Sequence, residues 1–277
     1  MNISYLCPHW GSENLDATEF LDKVVAAGYN GVEINLPEDQ HFLTAFSKKL
    51  EEIRNTQPVF KFIGQQVLPS KKETTTEYIS RMGARLHSVA TLLPDAINSH
   101  TGKDYYSFDE NCKIIDAAQN VSAKTGIRIL HETHRGRFSF HAATLLPYLE
   151  KFPEMELVGD FSHFCTVSES LLQDQQDIID KIIPHVSHIH ARVGFEQGPQ
   201  VNDPQAPEWA GHLCAFMTWW QQIIDHKANN GWANFTITPE YGPAPYMPAL
   251  PNSRLPLSDQ WTNNKNIMAV LKKTLHL

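Results

Sequence analysis

The sequence predicts an α/β fold, a single-domain (β/α)8 barrel of the TIM type. Three observations predict it. Short apolar runs alternate with longer segments of helical period as far as the C-terminus, the pattern of a parallel sheet covered by helices. Polar residues recur near the ends of those runs: Glu33, Gln65, His100, Glu132, Asp160, His190 and Glu240 are separated by 32, 35, 32, 28, 30 and 50 residues. One strand–helix unit takes about 30 residues or more, so each marks one repeat. Finally, 277 residues suit a barrel of about 250 residues with two insertions, 1–277 forming one unit.

Eight strands are expected, at Ile3–Pro8, Gly31–Leu36, Val59–Gln66, Ala96–His100, Arg128–Glu132, Glu156–Asp160, Val186–Arg192 and Asn234–Glu240. Amphipathic stretches such as Ala17–Ala27, Thr76–Leu93, Phe108–Ala123 and Ser168–Ile183 lie between them. In the first, Phe20, Leu21, Val24 and Val25 share one stripe, the spacing of a helix with a single buried face. Glycines at Gly28, Gly126 and Gly231 follow helical stretches and suit left-handed caps. The long last interval contains a loop at 194–209, rich in proline, glycine and polar residues, and a second proline-rich loop at 242–256 follows the eighth strand. Both are expected over the C-terminal mouth of the barrel, where such folds place their chemistry.

Composition narrows the function. With 23 basic and 31 acidic residues the chain carries a formal charge of −8 and has no basic run, which disfavours nucleic acid as a partner. A hydrophobic fraction of 42% against 19% charged residues provides for a sizeable core. No stretch of 18 apolar residues exists, so no membrane helix is expected. The N-terminus lacks the basic start and apolar core of a signal peptide, and Cys7, Cys112, Cys165 and Cys214 are too scattered to imply disulfides. The expectation is a cytoplasmic, reduced protein acting on a small molecule. A homo-oligomer is compatible with the sequence.

Strand alternation shows which side chains can meet. In RILHETH, Leu130, Glu132 and His134 point one way; in VSHIHAR, His188, His190 and Arg192 share a face; in FTITPE, Thr236, Thr238 and Glu240 face inward; Asp160 ends ELVGD opposite Leu157. Two glutamates, one aspartate and one histidine therefore converge from the fifth to eighth strands. Three carboxylates in one pocket repel each other and need a positive charge among them. A divalent cation meets that need. Three oxygen ligands and one nitrogen suit Mn²⁺ or Mg²⁺, with Zn²⁺ or Co²⁺ as further candidates. His41, His87, His212, His226 and His276 fall on helical stretches, a turn or the tail and are read as surface or packing residues.

The motifs carrying this set are HETH with Glu132, D-x-x-H with Asp160 and His163, H-x-H with His188 and His190, and PEYG with Glu240. In them the chain resembles the xylose isomerase-like barrel superfamily of sugar isomerases and epimerases, with ketose 3-epimerases and hydroxypyruvate isomerases among its members. The resemblance covers nearly the whole chain. It implies that Glu132, Asp160, His190 and Glu240 bind one divalent metal and that His163 and Arg192 contact the substrate. His100, His134 and His188 are further candidates for substrate contact. The segment after His190 reads ARVG where many relatives carry an acidic residue, which leaves the substrate open.

The expected chemistry is proton abstraction next to a carbonyl, through an enediolate, on a sugar or polyol. The metal would act as Lewis acid and template, with Glu132 and Glu240 as base and acid. With no glycine-rich or basic cradle in either long loop, an unphosphorylated substrate is expected. The alternatives are a lyase like the inosose dehydratases, which shares the first step, an apurinic endonuclease-like enzyme, and a sugar-binding barrel without activity.

Overall fold

The computed structural model describes residues 1–276. Its eight strands follow one another in chain order around a closed parallel barrel. They are β1 (Asn2–Pro8), β2 (Gly31–Ile34), β3 (Lys61–Gln66), β4 (Ala96–Ser99), β5 (Ile129–Glu132), β6 (Leu157–Gly159), β7 (Val186–Ala191) and β8 (Asn234–Pro239). Each falls within a residue or two of its expected place. The helices among the described residues are α1 (Ala17–Ala26), α2 (Gln40–Thr56), α3 (Thr75–Ala90), α4 (Phe108–Thr125), α5 (Ala142–Lys151), α6 (Phe161–Ser168), α7 (Gln176–Ile182), α8 (Ala210–Asn229) and α9 (Gln260–Thr274). None of them is long and apolar enough to cross a membrane.

Local chemistry starts and stops these helices. Asp16 with Glu19, Thr74 with Glu77 and Ser107 with Glu110 form reciprocal capping boxes at α1, α3 and α4. Gly28, Gly126 and Gly231 all take the positive φ expected of them. One expected element is corrected. Of the helix expected at Ser168–Ile183 only Gln176–Ile182, α7, is α-helical; α6 ends at Ser168, and Glu169 and Leu172 adopt φ of 48° and 57°, which no right-handed helix accommodates. The sequence pattern hid the break, since Leu172, Ile179 and Ile182 keep helical spacing across it and all reach the core.

Backbone contacts divide the chain into two units, each with its own core. The N-terminal unit comprises Leu6–Glu132 and Gly136–Phe138. In it α3 and α4 pack Tyr78, Met82, Leu86, Val89, Ile114 and Ala118 against Ile97 and Ile129 of β4 and β5. Its strand register is tight at Gly31, which pairs with Lys61. A Cβ there would lie 2.4 Å from the Lys61 carbonyl oxygen, a backbone atom with no room to yield. Gly31→Ala is therefore expected to cost about 1–3 kcal/mol, the usual range for overpacking, read as a lowered midpoint in urea. An unchanged midpoint would mean that β2 shifts freely against β3. The C-terminal unit comprises residues 1–5, 133–135 and 139–276. It contains β6, β7 and β8, with Phe161, Phe164, Phe216, Trp219 and Trp220 buried beneath α6 and α8.

Candidate metal centre and its surroundings

In the C-terminal unit three of the expected ligands meet. Asp160, His190 and Glu240 are buried, and each offers one ligand atom within 4.8 Å of the others. Strand geometry explains their convergence. His190 pairs in register with Thr238, so it shares an inward face with Glu240, two residues further along the chain than Thr238. Asp160 follows β6 directly and serves as the N-cap of α6, its Oδ1 accepting from the Ser162 amide at 3.0 Å and the Ser162 hydroxyl at 2.5 Å. Capping fixes the carboxylate and turns Oδ2 toward the interior. His163, three residues on, lies on the same first turn, with Nε2 3.8 Å from Asp160 Oδ2.

Arg192 runs through this group. Its guanidinium is 2% exposed and donates to Asp160 Oδ2. It also lies 2.9 Å from His163 Nε2 and 3.5 Å from Glu240 Oε2. Glu240 Oε2 is in turn 2.9 Å from His190 Nδ1. Arg192, expected from the resemblance to contact substrate, has its fork engaged by two carboxylates and an imidazole of the protein. Its charge balances part of the acidic cluster, a role for which the sequence reading had called on a metal alone.

His188, a further candidate for substrate contact, is held by the barrel wall. One turn of the strand pleat deeper than His190, it has Nδ1 2.7 Å from the Thr236 hydroxyl and Nε2 3.0 Å from that of Thr238. Both ring nitrogens are engaged by the wall of the barrel, and the ring lies edge-on beneath His190 at 5.4 Å. His134 is half-buried and lies against the His163 ring at 3.9 Å between centroids. Cys165 sits beside the cluster on α6, but burial, aided by the Asp160 charge, pushes its thiol well above the ordinary range, so it stays protonated.

The two long loops contribute to this side of the protein. Gln200 exchanges hydrogen bonds with Gly242 at 2.7 and 3.1 Å, tying the loop at 194–209 to the loop at 242–256. Tyr241 locks the chain just after Glu240: its amide donates to Asn264 at 2.7 Å and its hydroxyl accepts from the Val193 amide at 3.3 Å. From the second loop Tyr246 covers the Arg192 guanidinium at 4.9 Å and that of Arg135 at 5.2 Å. Tyr246 and Arg135 were not singled out from the sequence. The proline-rich loop pointed to the region and gave no signal for the residue.

The N-terminal unit places Glu132 and His100 together. Glu132 is 2% exposed, and its Oε2 accepts from Asn98 Nδ2 at 2.7 Å and lies 2.8 Å from His100 Nε2. Asn98 also donates to Glu33 Oε1 at 3.0 Å, where Gln65 Nε2 donates as well. Asn98 was missed in the sequence. Its signal was parity, because residues 98 and 100 of the fourth strand region point the same way.

No protein-family model matches the sequence, and no curated protein matches it. Among solved structures the chain is similar to the probable 3-DHS dehydratase AsbF of Bacillus anthracis, involved in petrobactin synthesis. That match has a TM-score of 0.64 and 15% identity and covers 98% of this chain and 99% of the other. It is similar to 3-keto-D-glucoside 4-epimerase YcjR of E. coli, with a TM-score of 0.56 and 14% identity over 98% and 100% of the two chains. It is also similar to a xylose isomerase-like TIM barrel protein of Mycobacterium smegmatis in complex with magnesium, with a TM-score of 0.62 and 11% identity over 99% and 98%. Sequence identity this low speaks for the fold alone, the closed parallel (β/α)8 barrel that this chain shares with them.

Proposed function

We propose that the protein is a divalent-metal-dependent isomerase or epimerase acting on a small hydroxy-carbonyl compound of sugar or polyol type. The observation that carries this reading is the buried set Asp160, His190 and Glu240, with ligand atoms close enough to share one ion, to which the resemblance of the sequence motifs adds Glu132 as the fourth ligand. The donor set fits such an ion. Two carboxylates, Asp160 and Glu240, face one guanidinium, that of Arg192; with Glu132 as the further ligand the resemblance implies, two negative charges are left over, which match one divalent cation. When bound, the metal would polarise the substrate carbonyl and fix the adjacent hydroxyl.

The chain's own residues account for the remaining chemistry. Glu132 and Glu240 end different strands of the barrel and can each take or return a proton beside the carbonyl. Their surroundings differ: Glu132 Oε2 faces a neutral amide and an imidazole, Glu240 Oε2 an imidazole and a guanidinium. Unequal surroundings are what separates a base from an acid at one pH. Arg192 holds Asp160 and Glu240 in place, and Tyr246 over it shields the site from water.

The likeness to a structure named as a 4-epimerase and one in complex with magnesium supports the reading. The likeness to a probable dehydratase favours a second one, a lyase that begins with the same proton abstraction and then expels water. One experiment separates them. The protein is incubated with Mn²⁺ and a panel of ketoses, aldoses and inososes in D₂O. Deuterium in a recovered isomer supports the isomerase, and loss of water with a new double bond supports the lyase. Silence across the panel, with metal bound, would leave neither.

The metal assignment has its own test. Asp160→Asn keeps an N-cap for α6, since asparagine caps as well as aspartate. It is expected to lower Mn²⁺ affinity by more than about tenfold, with the thermal midpoint of the metal-free protein little changed. Titration with Mn²⁺ followed by calorimetry reads both quantities. Wild-type affinity in this variant would remove Asp160 from the ligand set.

A further inference from the structure

Four basic residues of the N-terminal unit lie against carboxylates. Lys49 lies 2.7 Å from Asp22, Arg54 and Lys61 lie 3.0 and 3.1 Å from Asp95, and Arg81 is paired with Glu73. Lys103 and Arg137, from neighbouring loops of the same unit, do not. Lys103, in the loop after β4, is only 5% exposed, yet its ammonium has no hydrogen-bond or ion-pair partner among the described residues. It rests 6.0 Å over the Tyr78 ring. Arg137, in the loop after β5, has a buried Nε without a hydrogen-bond partner, and one of its terminal nitrogens lies 3.4 Å from His100 Nδ1.

The two loops are joined. The Phe138 amide donates to the Thr101 carbonyl at 3.4 Å, and Gly102 takes a φ of 65° with Phe138 Cβ close by. The cations are therefore near enough to act on each other. Burial, together with the neighbouring Arg137 charge, holds the Lys103 ammonium below its ordinary range. The carboxylates whose charge reaches Lys103 do not relieve this, because Glu73 is held by Arg81 and Asp104 is exposed.

Withdrawing an unpaired cation from most of its solvent is costly, and placing a second beside it adds repulsion. A protein retains such a pair where an anion arrives to satisfy it. We propose that Lys103 and Arg137 form an anion site holding a carboxylate or phosphate of the substrate, so that the hydroxy-carbonyl compound is an acidic one. The site lies one histidine away from Glu132, through Arg137 to His100 at 3.4 Å and His100 to Glu132 at 2.8 Å. The substrate's charged end would be anchored there with its reacting carbon toward Glu132. In assigning the anion to the substrate, the proposal rests on the reading of Glu132 given above. The sequence-based expectation of an unphosphorylated substrate looked for a cradle within single long loops; a carboxylate in this site agrees with it, and a phosphate would revise it.

The test uses fructose, fructuronate and fructose 6-phosphate, one carbon skeleton that is neutral, carboxylated or phosphorylated. Affinities are measured by calorimetry on the Mn²⁺-loaded protein, Lys103→Met and Arg137→Gln, with circular dichroism to confirm that each variant is folded. At least one charged sugar is expected to bind ten times or more tighter than fructose. That advantage is expected to fall at least tenfold in each variant and to return in part in Lys103→Arg. The carboxylate and phosphate arms show which anion the site takes. Indistinguishable affinities for the three sugars, or variants that keep the advantage, would overturn the proposal. Because binding is read apart from turnover, anion selectivity without deuterium exchange would defeat the isomerase reading and uphold the anion site.

Discussion

Gln at position 240 is expected to lower turnover by at least about 100-fold and as much as about 10,000-fold, the contribution of a positioned proton-transfer group. The change nearly preserves shape. An amide oxygen can still occupy the place of Glu240 Oε2, 2.9 Å from His190 Nδ1 and 3.5 Å from Arg192. Metal should remain bound at reduced affinity, since an amide oxygen still coordinates. What is lost is a proton acceptor. Glu132→Gln makes the same test from the other strand end, where the amide must accept from Asn98 and meet His100. The two variants need not behave alike. In an epimerase that works from two faces, the surviving glutamate still washes deuterium into the substrate while epimerisation stops. Exchange without turnover in one variant supports two-faced chemistry. Full activity in Glu240→Gln with metal bound would end the acid–base assignment.

Arg192→Met is expected to destabilise the metal-free protein by about 3–5 kcal/mol, the cost of removing one partner from a buried ion pair. Asp160 is fully buried and Glu240 is 6% exposed, so water does not take over the role of the guanidinium. The variant must either keep both carboxylates charged without Arg192 or protonate one, and each course costs stability. Excess Mn²⁺ should return a large part of the loss, because an ion that binds only the folded state stabilises it in proportion to its occupancy. Urea denaturation with and without Mn²⁺ measures both effects. A loss under about 1 kcal/mol, or no rescue by metal, would mean that the arginine and the ion do not serve the same carboxylates. Arg192→Lys should fall between, since an ammonium supplies the charge without the fork that reaches Asp160, Glu240 and His163 together.

The eight strands were legible because each carries its own signal. A short apolar run of period two, followed by a polar residue, recurs about once per strand–helix unit. The inward parity of Glu132, His190, Thr236, Thr238 and Glu240 followed from the same alternation, which is a local property of extended chain. The helix at Ser168–Ile183 was misread because periodicity is blind to a break whose flanks stay in phase. Leu172, itself at positive φ, and Ile179, seven residues on, both reach the core in phase.

What the sequence by itself determined is therefore the fold, its strand order and the residue types gathered at the strand ends. Tertiary structure alone decided how those groups satisfy one another. That Arg192 packs against Asp160, His163 and Glu240 is a matter of the fold, which strand parity does not show. His188 shares parity with His190, yet Thr236 and Thr238 engage both its nitrogens. Lys103 and Arg137 carry no pattern that relates them in sequence, and the joining of two loops beside His100 makes them neighbours. The physical reason is the range of the forces. Alternation and capping act over a few residues and are written along the chain, whereas the balance of buried charge depends on every group within reach in space, whatever its place in the sequence.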